Sequence, residues 1–371
     1  MQFIDLNKQY AKISSEIDQA IFDTLKAGQF IQGPSVKELE SKLSKYVGAE
    51  CISCANGTDA IYIALRALGV QAGDEVLVPS FTWVSTAEVV KLLNAIPVFV
   101  EVDSSFNMDP THASTLINDK TKGIIAVSMF GTCADLLSLK KLTHENDIFL
   151  IEDAAQSFGA MHNNHMSCSI ADISTTSFFP AKPLGCYGDG GAIFSNNANL
   201  LGLCDAISKH GQQGRYNYVT VGMNSRLDTI QAAILLEKLK IFEEEVFRKN
   251  EIASLYMKHF SSNSHISCPI IPVKENRSVW AQYTLTLQID DVINKRKKVM
   301  EDLKVRGIPT ALYYPAPLHL QSPYRTLQEI KLPITEKISN SVLSLPMHAY
   351  LSDDEVGFIA ENVIQVLKDN H

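Results

Sequence analysis

The chain has 371 residues, of which 46% are hydrophobic and 20% are charged, and its formal net charge is -8. This composition is typical of a soluble globular protein, and the acidic balance argues against a nucleic-acid partner. No apolar run approaches the roughly 20 residues that span a bilayer, and seven scattered cysteines do not indicate a disulfide scaffold. We therefore expect a cytoplasmic protein with neither a membrane nor a nucleic-acid partner.

Two helices are predicted before the first strand. Residues 13–27 have apolar side chains at helical spacing, and Gly28 follows them as a stop signal. Residues 33–48 predict a second helix, which is opened by Ser35 and closed by Gly48. Both helices come before the part of the chain in which strands and helices alternate.

From residue 50 onward, short apolar runs alternate with helical periods. Strands are predicted at residues 50–55, 74–79, 96–102, 122–130, 148–153, 174–179 and 190–196. Helices are predicted between them at residues 57–69, 86–95 and 135–147. Short apolar strands separated by helices are typical of a parallel sheet that is covered on both faces. We predict an α/β fold with a large, mostly parallel sheet.

The last third of the chain predicts a second, smaller unit. A long helical region is followed by further strands and helices, at residues 227–260, 280–289, 293–307, 309–314 and 352–369. We assign residues 1–245 to a large domain with the N-terminal helices, and residues 246–371 to a small C-terminal α/β domain.

Several side chains follow predicted strands, where ligands bind in sheets of this kind. Gly57 and Thr58 open a helix, and such a helix start binds phosphate well, although an N-cap without a ligand has the same pattern. Trp83 offers a flat aromatic face. Asp153 ends an apolar run, where a carboxylate either pairs with a cation or caps the next helix. The glycine fingerprints of mononucleotide and dinucleotide sites are absent, and no metal site is predicted.

The segment TSFFPAKPLGCYGDGG, residues 176–191, holds one lysine, Lys182, between Pro180 and Pro183. Read alone, it also fits a lysine in a surface loop. A lysine that loses its hydration has a lowered pKa, and its neutral amine attacks a carbonyl to form a Schiff base. Pyridoxal 5'-phosphate (PLP) needs such a lysine, a carboxylate for its ring nitrogen, an aromatic partner and phosphate donors. The four together predict this cofactor.

These blocks resemble the DegT/DnrJ/EryC1/StrS aminotransferases, which are PLP enzymes that aminate keto groups on nucleotide-linked sugars. The matching segments include NGTDA, IEDAAQSFGA and SFFPAKPLGCYGDGG, at residues 56–60, 151–160 and 177–191. The resemblance covers most of the chain and is weaker after residue 240. It implies the type I fold of PLP-dependent transferases (aspartate aminotransferase-like) and a homodimer with shared active sites.

The resemblance also implies roles for single residues. Lys182 would bond to the cofactor aldehyde and then move protons, and Asp153 would pair with the ring nitrogen. The other cofactor contacts would come from Gly57, Thr58, Trp83, Gln156, Ser177 and, across the dimer, Asn224. Substrate contacts are predicted at Gln29, Arg226, Tyr313 and Tyr314. For Arg226, a structural salt bridge is an equally good interpretation.

The lysine segment and the ending SLPMHAYL, residues 344–351, are similar to one branch of the family. That branch aminates UDP-2-acetamido-2-deoxy-3-oxo-glucuronate with L-glutamate as donor, for surface polysaccharides such as lipopolysaccharide and O-antigen. Relatives there carry His-Tyr where this chain has Tyr313 and Tyr314, so a nucleotide-linked 4-keto-6-deoxy sugar is the alternative substrate. A regulator that senses PLP or sugar is the alternative class, although neither terminus contains a visible DNA-binding segment. A dehydratase of this fold would carry His in place of Lys182.

Overall fold

The computed structural model describes residues 1–270, 276–325 and 330–370. Helices α1 to α12 span Leu6–Lys12, Ser14–Ala27, Pro34–Val47, Gly57–Ala67, Ser85–Leu92, Pro110–Leu116, Leu136–Glu145, Ala198–Ser208, Thr229–Phe260, Val292–Val305, Pro333–Ser341 and Asp353–Asp369. Strands β1 to β12 span Glu50–Cys54, Glu75–Pro79, Ile96–Val100, Thr121–Val127, Phe149–Asp153, Met161–His162, His165–Met166, Ile173–Ser177, Gly191–Ser195, Ile266–Ser267, Tyr283–Leu287 and Val342–Leu345. Helices and strands alternate from β1 to β5.

Seven of the described strands form the main sheet, in the order β1-β9-β8-β5-β4-β2-β3. Strands β8, β5, β4, β2 and β3 pair in parallel, whereas β9 runs antiparallel to both of its neighbours, β8 and β1. Strand β1 therefore points the same way as the parallel strands. The predicted α/β fold with a large, mostly parallel sheet is confirmed. All strands of this sheet except β9 end at one side, which we call the carboxyl edge.

Both faces of the main sheet are covered by helices, because successive side chains of a strand point to opposite faces. In β2, Leu77 packs in a core with helices α3, α7 and α9. Its neighbours Val76 and Val78 pack in a second core with α4, α5 and α8. Near-continuous apolar strands are the expected consequence of this two-sided burial.

The two N-terminal helices are found close to their predicted positions. Helix α2 ends at Gly28, whose φ of 66° lies in the left-handed region that favours glycine. Helix α3 begins at Pro34, with Gly33 as its cap residue. The predicted opening by Ser35 is therefore wrong, since proline is well suited to the first helical position and moves the start forward.

A smaller α/β unit follows the main sheet, as predicted. Among the described strands, β10, β11 and β12 form an antiparallel sheet, and its core includes side chains from α10 and α12. The strand predicted at residues 309–314 is wrong, because Ala311 makes only an isolated bridge to Ser344 there. Pro309 and Pro315 flank this segment, and proline cannot donate to a strand ladder.

Helix α9 has 32 residues and passes from one hydrophobic core into another. Phe242 and Val246 pack in a core of the main sheet, whereas Ile252 and Tyr256 pack in the core of the small sheet. This change along one helix supports a boundary near residues 245 and 246. The division into two domains stays a prediction.

Three further properties bear on function. In the parts of the chain that the structure describes, no helix combines the length and apolar character needed to cross a membrane. Over the same residues, no group of three or more His, Cys, Asp or Glu side chains is arranged to hold a metal ion. The seven cysteines are free thiols, and all but Cys268 are buried.

Candidate active site

Lys182 lies on the loop that joins β8 to β9. The loop turns back tightly, because the Cys186 N–H donates to the Phe178 carbonyl at 2.8 Å. Gly185 has no room for a side chain, since a Cβ there would lie 2.5 Å from the carbonyl oxygen of Pro180. The loop therefore needs a glycine three residues after Lys182. Its compact path fixes the position of the Lys182 backbone, from which the side chain extends.

The lysine loop, the carboxyl edge and the segment around residues 313–314 enclose a cavity of about 390 Å³. The predicted residues that line this cavity are Gly57, Thr58, Trp83, Asp153, Gln156, Ser177, Lys182, Tyr313 and Tyr314. Most of them follow the ends of β1, β2, β5 and β8. They converge because these strands run in the same direction within one sheet.

Asp153, the last residue of β5, is only 7% exposed. Its Oδ1 accepts a hydrogen bond from the Ala155 N–H at 3.1 Å, and its Oδ2 accepts one from Thr86 Oγ1 at 3.2 Å. Burial raises the pKa of Asp153, and this is opposed by the Ala155 N–H, the Lys182 charge and the Thr86 hydroxyl. The residues that follow form turns, so the helix-cap interpretation is wrong. The arrangement suits a carboxylate that receives a cationic partner.

Lys182 faces the same cavity as Asp153. Burial lowers the pKa of Lys182, and the negative charge of Asp153 raises it in part. A lowered pKa makes the neutral amine, which is the nucleophilic form, available at lower pH. The half-buried side chain lines a cavity, so the interpretation as an ordinary surface-loop lysine is wrong.

The start of α4 and the end of β8 are in close contact. A Cβ on Gly57 would lie 2.7 Å from the Ser177 Cβ, so only glycine fits there without a shift. Thr58 Oγ1 and Ser85 Oγ lie 2.7 Å apart. The first N–H groups of a helix have no carbonyl partner within it. Hydroxyls and N–H groups thus meet in a cradle that suits a phosphate.

Gln156 and the aromatic residues form another part of the cavity. Gln156 Oε1 accepts a hydrogen bond from the Phe130 N–H at 3.0 Å, and its Nε2 donates to Tyr314 Oη at 3.2 Å. These two bonds fix the orientation of the amide. The Trp83 side chain is 57% exposed, and its ring centroid lies 6.3 Å from that of Tyr314. An indole in this position presents a flat face to an aromatic ligand.

Three predicted residues do not line this cavity within one chain. Asn224 and Gln29 are exposed. Arg226 lies in a separate recess with Lys37 and Lys209, and its Nε is buried without a hydrogen-bond partner among the described residues. The salt-bridge interpretation of Arg226 finds no support in the described residues, since no ion pair involves it there. The roles of these residues stay predictions.

Ser85, Thr86 and Gln282 belong to the site but are missing from the sequence prediction. Ser85 and Thr86 begin α5, just after Trp83, so a closer application of the strand-end argument would have found them. Gln282 lines the cavity from the C-terminal part of the chain, immediately before β11. No pattern in its sequence neighbourhood indicates this position, because it depends on how distant segments pack.

The residues present fit PLP. The cradle at Gly57 is too narrow for a Cβ and is surrounded by hydroxyls, as a phosphate site requires. Asp153 is a buried carboxylate suited to a protonated ring nitrogen, and Lys182 shares its cavity. The chemistry of this donor set matches the phosphate, the ring nitrogen and the aldehyde of the cofactor.

Known proteins resemble this chain over nearly its whole length. The sequence profile of the DegT/DnrJ/EryC1/StrS aminotransferase family matches residues 11–364. The UDP-2-acetamido-2-deoxy-3-oxo-D-glucuronate aminotransferase of Pseudomonas aeruginosa is 48% identical over 361 residues, which cover 97% of this chain and 98% of the relative. The predicted resemblance to this family is confirmed.

Solved structures agree with the fold. A DegT/DnrJ/EryC1/StrS aminotransferase from Brucella abortus has a TM-score of 0.92 at 41% identity, with 98% of each chain covered. NtdA from Bacillus subtilis, solved with bound cofactor PMP, has a TM-score of 0.90 at 28% identity, with 99% of this chain and 83% of that chain covered. The predictions of an aminotransferase fold and of a PLP cofactor are confirmed.

Proposed function

This chain belongs to the DegT/DnrJ/EryC1/StrS aminotransferase family, and we propose that it transfers the amino group of L-glutamate to a keto carbon of a UDP-linked sugar. Glutamate leaves as 2-oxoglutarate, and the sugar carbonyl becomes an amine. The observation that carries the proposal is the half-buried Lys182 in one cavity with the buried Asp153. The two groups sit beside a phosphate cradle that only glycine permits.

The residues of the cavity divide the work of holding the cofactor. Thr58, Ser85 and Ser177, with the first N–H groups of α4, would hold its phosphate. Asp153 would keep the ring nitrogen protonated, because a buried carboxylate stabilises a cationic partner. The bound cofactor would supply an electron sink for the carbon that loses or gains a proton. Trp83 would stack on the ring.

Lys182 is the group that moves protons in both halves of the reaction. Its amine is placed by a compact loop, and burial lowers its pKa, which makes the neutral amine that acts as a base more available. Asp153 limits this fall, because its negative charge favours the ammonium form. Burial and Asp153 thus shift the pKa of Lys182 in opposite directions. Its neutral amine can take up a proton, and the resulting ammonium can return it.

The sugar that we favour is UDP-2-acetamido-2-deoxy-3-oxo-D-glucuronate. Support comes from the Pseudomonas aeruginosa relative, which is named for this substrate. Arg226 lies in a separate recess with Lys37, Lys209 and Glu40, and its Nε has no hydrogen-bond partner among the described residues. We propose that, in the dimer, this guanidinium meets an anionic group of the substrate. We further propose that Tyr313 and Tyr314 contact the sugar. A nucleotide-linked 4-keto-6-deoxy sugar, which has no carboxylate, is the alternative.

We also propose a homodimer in which each subunit completes the other's site. Asn224 and Gln29 are exposed and outside the cavity of their own chain. Phe30 and Ile31, next to Gln29, are 47% and 50% exposed. Adjacent exposed apolar side chains are typical of a protein interface. In this arrangement Asn224 reaches the phosphate in the neighbouring subunit.

The test separates the two half-reactions. The purified enzyme loaded with PLP is treated with L-glutamate, and the visible absorbance of the bound cofactor is expected to fall. After removal of glutamate, UDP-2-acetamido-2-deoxy-3-oxo-glucuronate is expected to restore the absorbance, whereas a 4-keto-6-deoxy nucleotide sugar is not. Recovery with the 4-keto-6-deoxy sugar alone would reverse the choice of substrate. No response to glutamate would instead favour a regulator that only senses PLP or sugar.

A further inference from the structure

The cavity has two sides of different construction. We call the ends of β1, β2, β5 and β8, with the lysine loop, the sheet wall. We call the part of the lining that is formed by Gln282, Tyr313 and Tyr314 the C-terminal wall. Within one chain, the groups that we assign to the cofactor lie on the sheet wall. The C-terminal wall is therefore the side of the cavity that is left for the substrate.

The backbone that leads to Gln282 is held rigidly. Val279 N–H donates to the Gly131 carbonyl at 2.9 Å. The indole N–H of Trp280 donates to Asn250 Oδ1 at 3.0 Å. Gly131 has a φ of 101°, and a Cβ there would lie 2.5 Å from the Trp280 nitrogen. This close packing fixes the backbone just before Gln282, so the Gln282 side chain extends toward the cavity from a defined position.

The Gln282 side chain is incompletely satisfied within the protein. Its Oε1 is buried and accepts no hydrogen bond from any described residue. An unsatisfied buried polar atom costs about 1–3 kcal/mol, and native proteins contain few of them. Gln156, the other glutamine of the cavity, has both ends of its amide paired. Gln282 is therefore the glutamine of the cavity whose amide oxygen has no donor, and rotation of this amide, which no hydrogen bond to a described residue restrains, brings the oxygen to the cavity that the side chain lines.

The chemistry of the two substrates decides which one this acceptor serves. The carboxylates of L-glutamate only accept hydrogen bonds, and its amino group has to reach the cofactor. A nucleotide-linked sugar carries hydroxyls and, when it is N-acetylated, an amide N–H, and these groups donate without reacting. An acceptor oxygen on the wall that carries no cofactor group is therefore complementary to the sugar.

We propose that Gln282 selects the sugar substrate by accepting a hydrogen bond, at Oε1, from a hydroxyl or an amide N–H of the sugar. This inference rests on the proposed function. Sugar binding supplies the missing donor, so its affinity includes the relief of an unsatisfied acceptor. A sugar that lacks a donor at this point leaves Oε1 unpaired and is rejected.

The experiment uses the PLP-loaded enzyme and the variant Gln282→Met, which is similar in length and has no amide. The half-saturating concentration of the keto sugar is expected to rise roughly tenfold, as for the loss of one buried hydrogen bond. The half-saturating concentration of glutamate is expected to stay within about twofold, because no glutamate contact is lost. Gln288→Met, at an exposed position just after the same strand, is the matched control.

A second variant and a direct binding measurement serve as controls for this experiment. Gln282→Asn keeps the amide one methylene shorter and is expected to fall between the wild type and Gln282→Met. Thermal melting identifies a variant that does not fold. Equal losses for glutamate and for the sugar, or no loss for the sugar, would overturn the inference. If the wild type does not respond to glutamate, the proposed function fails, and calorimetry with the UDP-linked amino sugar still decides whether Gln282 binds it.

Discussion

The sheet wall and the C-terminal wall face the same cavity but are built differently. On the sheet wall, Asp153 and Lys182 extend from strand ends or from a compact loop between strands, and Asp153 is paired with two donors. On the C-terminal wall, Gln282, Tyr313 and Tyr314 lie outside helices and strands. Regular elements hold the groups that perform one unchanging chemistry. Irregular segments, whose form changes readily with sequence, form the wall that we propose to contact the substrate.

The largest effect is expected from removal of the reactive amine on the sheet wall. Lys182→Ala removes the amine, so turnover is expected to fall by roughly 10²- to 10⁴-fold or more, and the lysine-dependent visible absorbance of the bound cofactor is expected to disappear. Absorbance spectra and steady-state rates check both. Lys258→Ala, at an exposed position of α9, is the control and should leave both unchanged. Full activity in Lys182→Ala would refute its assigned role.

A smaller effect is expected where the sheet wall is only distorted. Gly57→Ala brings a Cβ to 2.7 Å from the Ser177 Cβ, so the start of α4 has to shift away from β8. Overpacking of this kind costs about 1–3 kcal/mol, which corresponds to roughly a tenfold or greater rise in the Kd for PLP. Titration of the apoprotein with PLP measures it.

The control for this substitution is Gly202→Ala. Gly202 lies within α8, and a Cβ there has no heavy atom within 4 Å. This change is expected to leave the Kd for PLP unaltered and to stabilise the fold by about 0.5–1 kcal/mol, because alanine favours a helix. An unchanged Kd in Gly57→Ala would mean that the cradle tolerates a Cβ after all.

The connection between the two walls is expected to contribute stability rather than chemistry. Ser80 Oγ and His319 Nδ1 lie 2.7 Å apart, and His319 Nε2 lies 3.3 Å from Glu336 Oε1. Ser80 follows β2 on the sheet wall, and His319 follows the tyrosine segment of the C-terminal wall. Ser80→Ala leaves the buried Nδ1 and the backbone N–H of His319 without their hydrogen-bond partner, so the free energy of unfolding should drop by about 1–3 kcal/mol.

Chemical denaturation measures this loss, with Ser114→Ala at an exposed position of α6 as the control, expected within about 0.5 kcal/mol of the wild type. In Ser80→Ala, the half-saturating concentration of the sugar could rise while the affinity for PLP stays the same. This result would support the comparison, because it would mean that only the C-terminal wall had moved. A loss of PLP affinity in Ser80→Ala would contradict the separation of the two walls.

The smallest expected effect is a shift along the pH axis. Asp153 raises the pKa of Lys182 against the fall caused by burial, so Asp153→Asn should lower that pKa further. The neutral amine then predominates from a lower pH, and the pH profile for capture of PLP by the apoprotein should move to lower pH. Visible absorbance after mixing gives the capture rate. Asp119→Asn, an exposed substitution, should leave the midpoint in place, and an upward shift in Asp153→Asn would contradict the sign.

Most of the sheet wall is predictable from the sequence, whereas the C-terminal wall is not. Gly57 and Trp83 come shortly after predicted strands, Asp153 ends a strand with a clear apolar run, and Ser177 ends β8. Parallel strands bring these positions together. The tyrosines were located through the family resemblance, and the strand expected around them does not form. Gln282 carries no signal, because its place depends on Gly131, a residue about 150 positions away that packs against its neighbours.

Helix α9 has a mechanical consequence. With 32 residues and a rise of 1.5 Å per residue, it is about 48 Å long, and it enters both cores without interruption. A continuous helix bends only if its backbone hydrogen bonds lengthen or break. A change in the distance between the two cores would therefore have to bend this helix. We expect substrate to enter by movement of the loops around the cavity rather than by separation of the two cores.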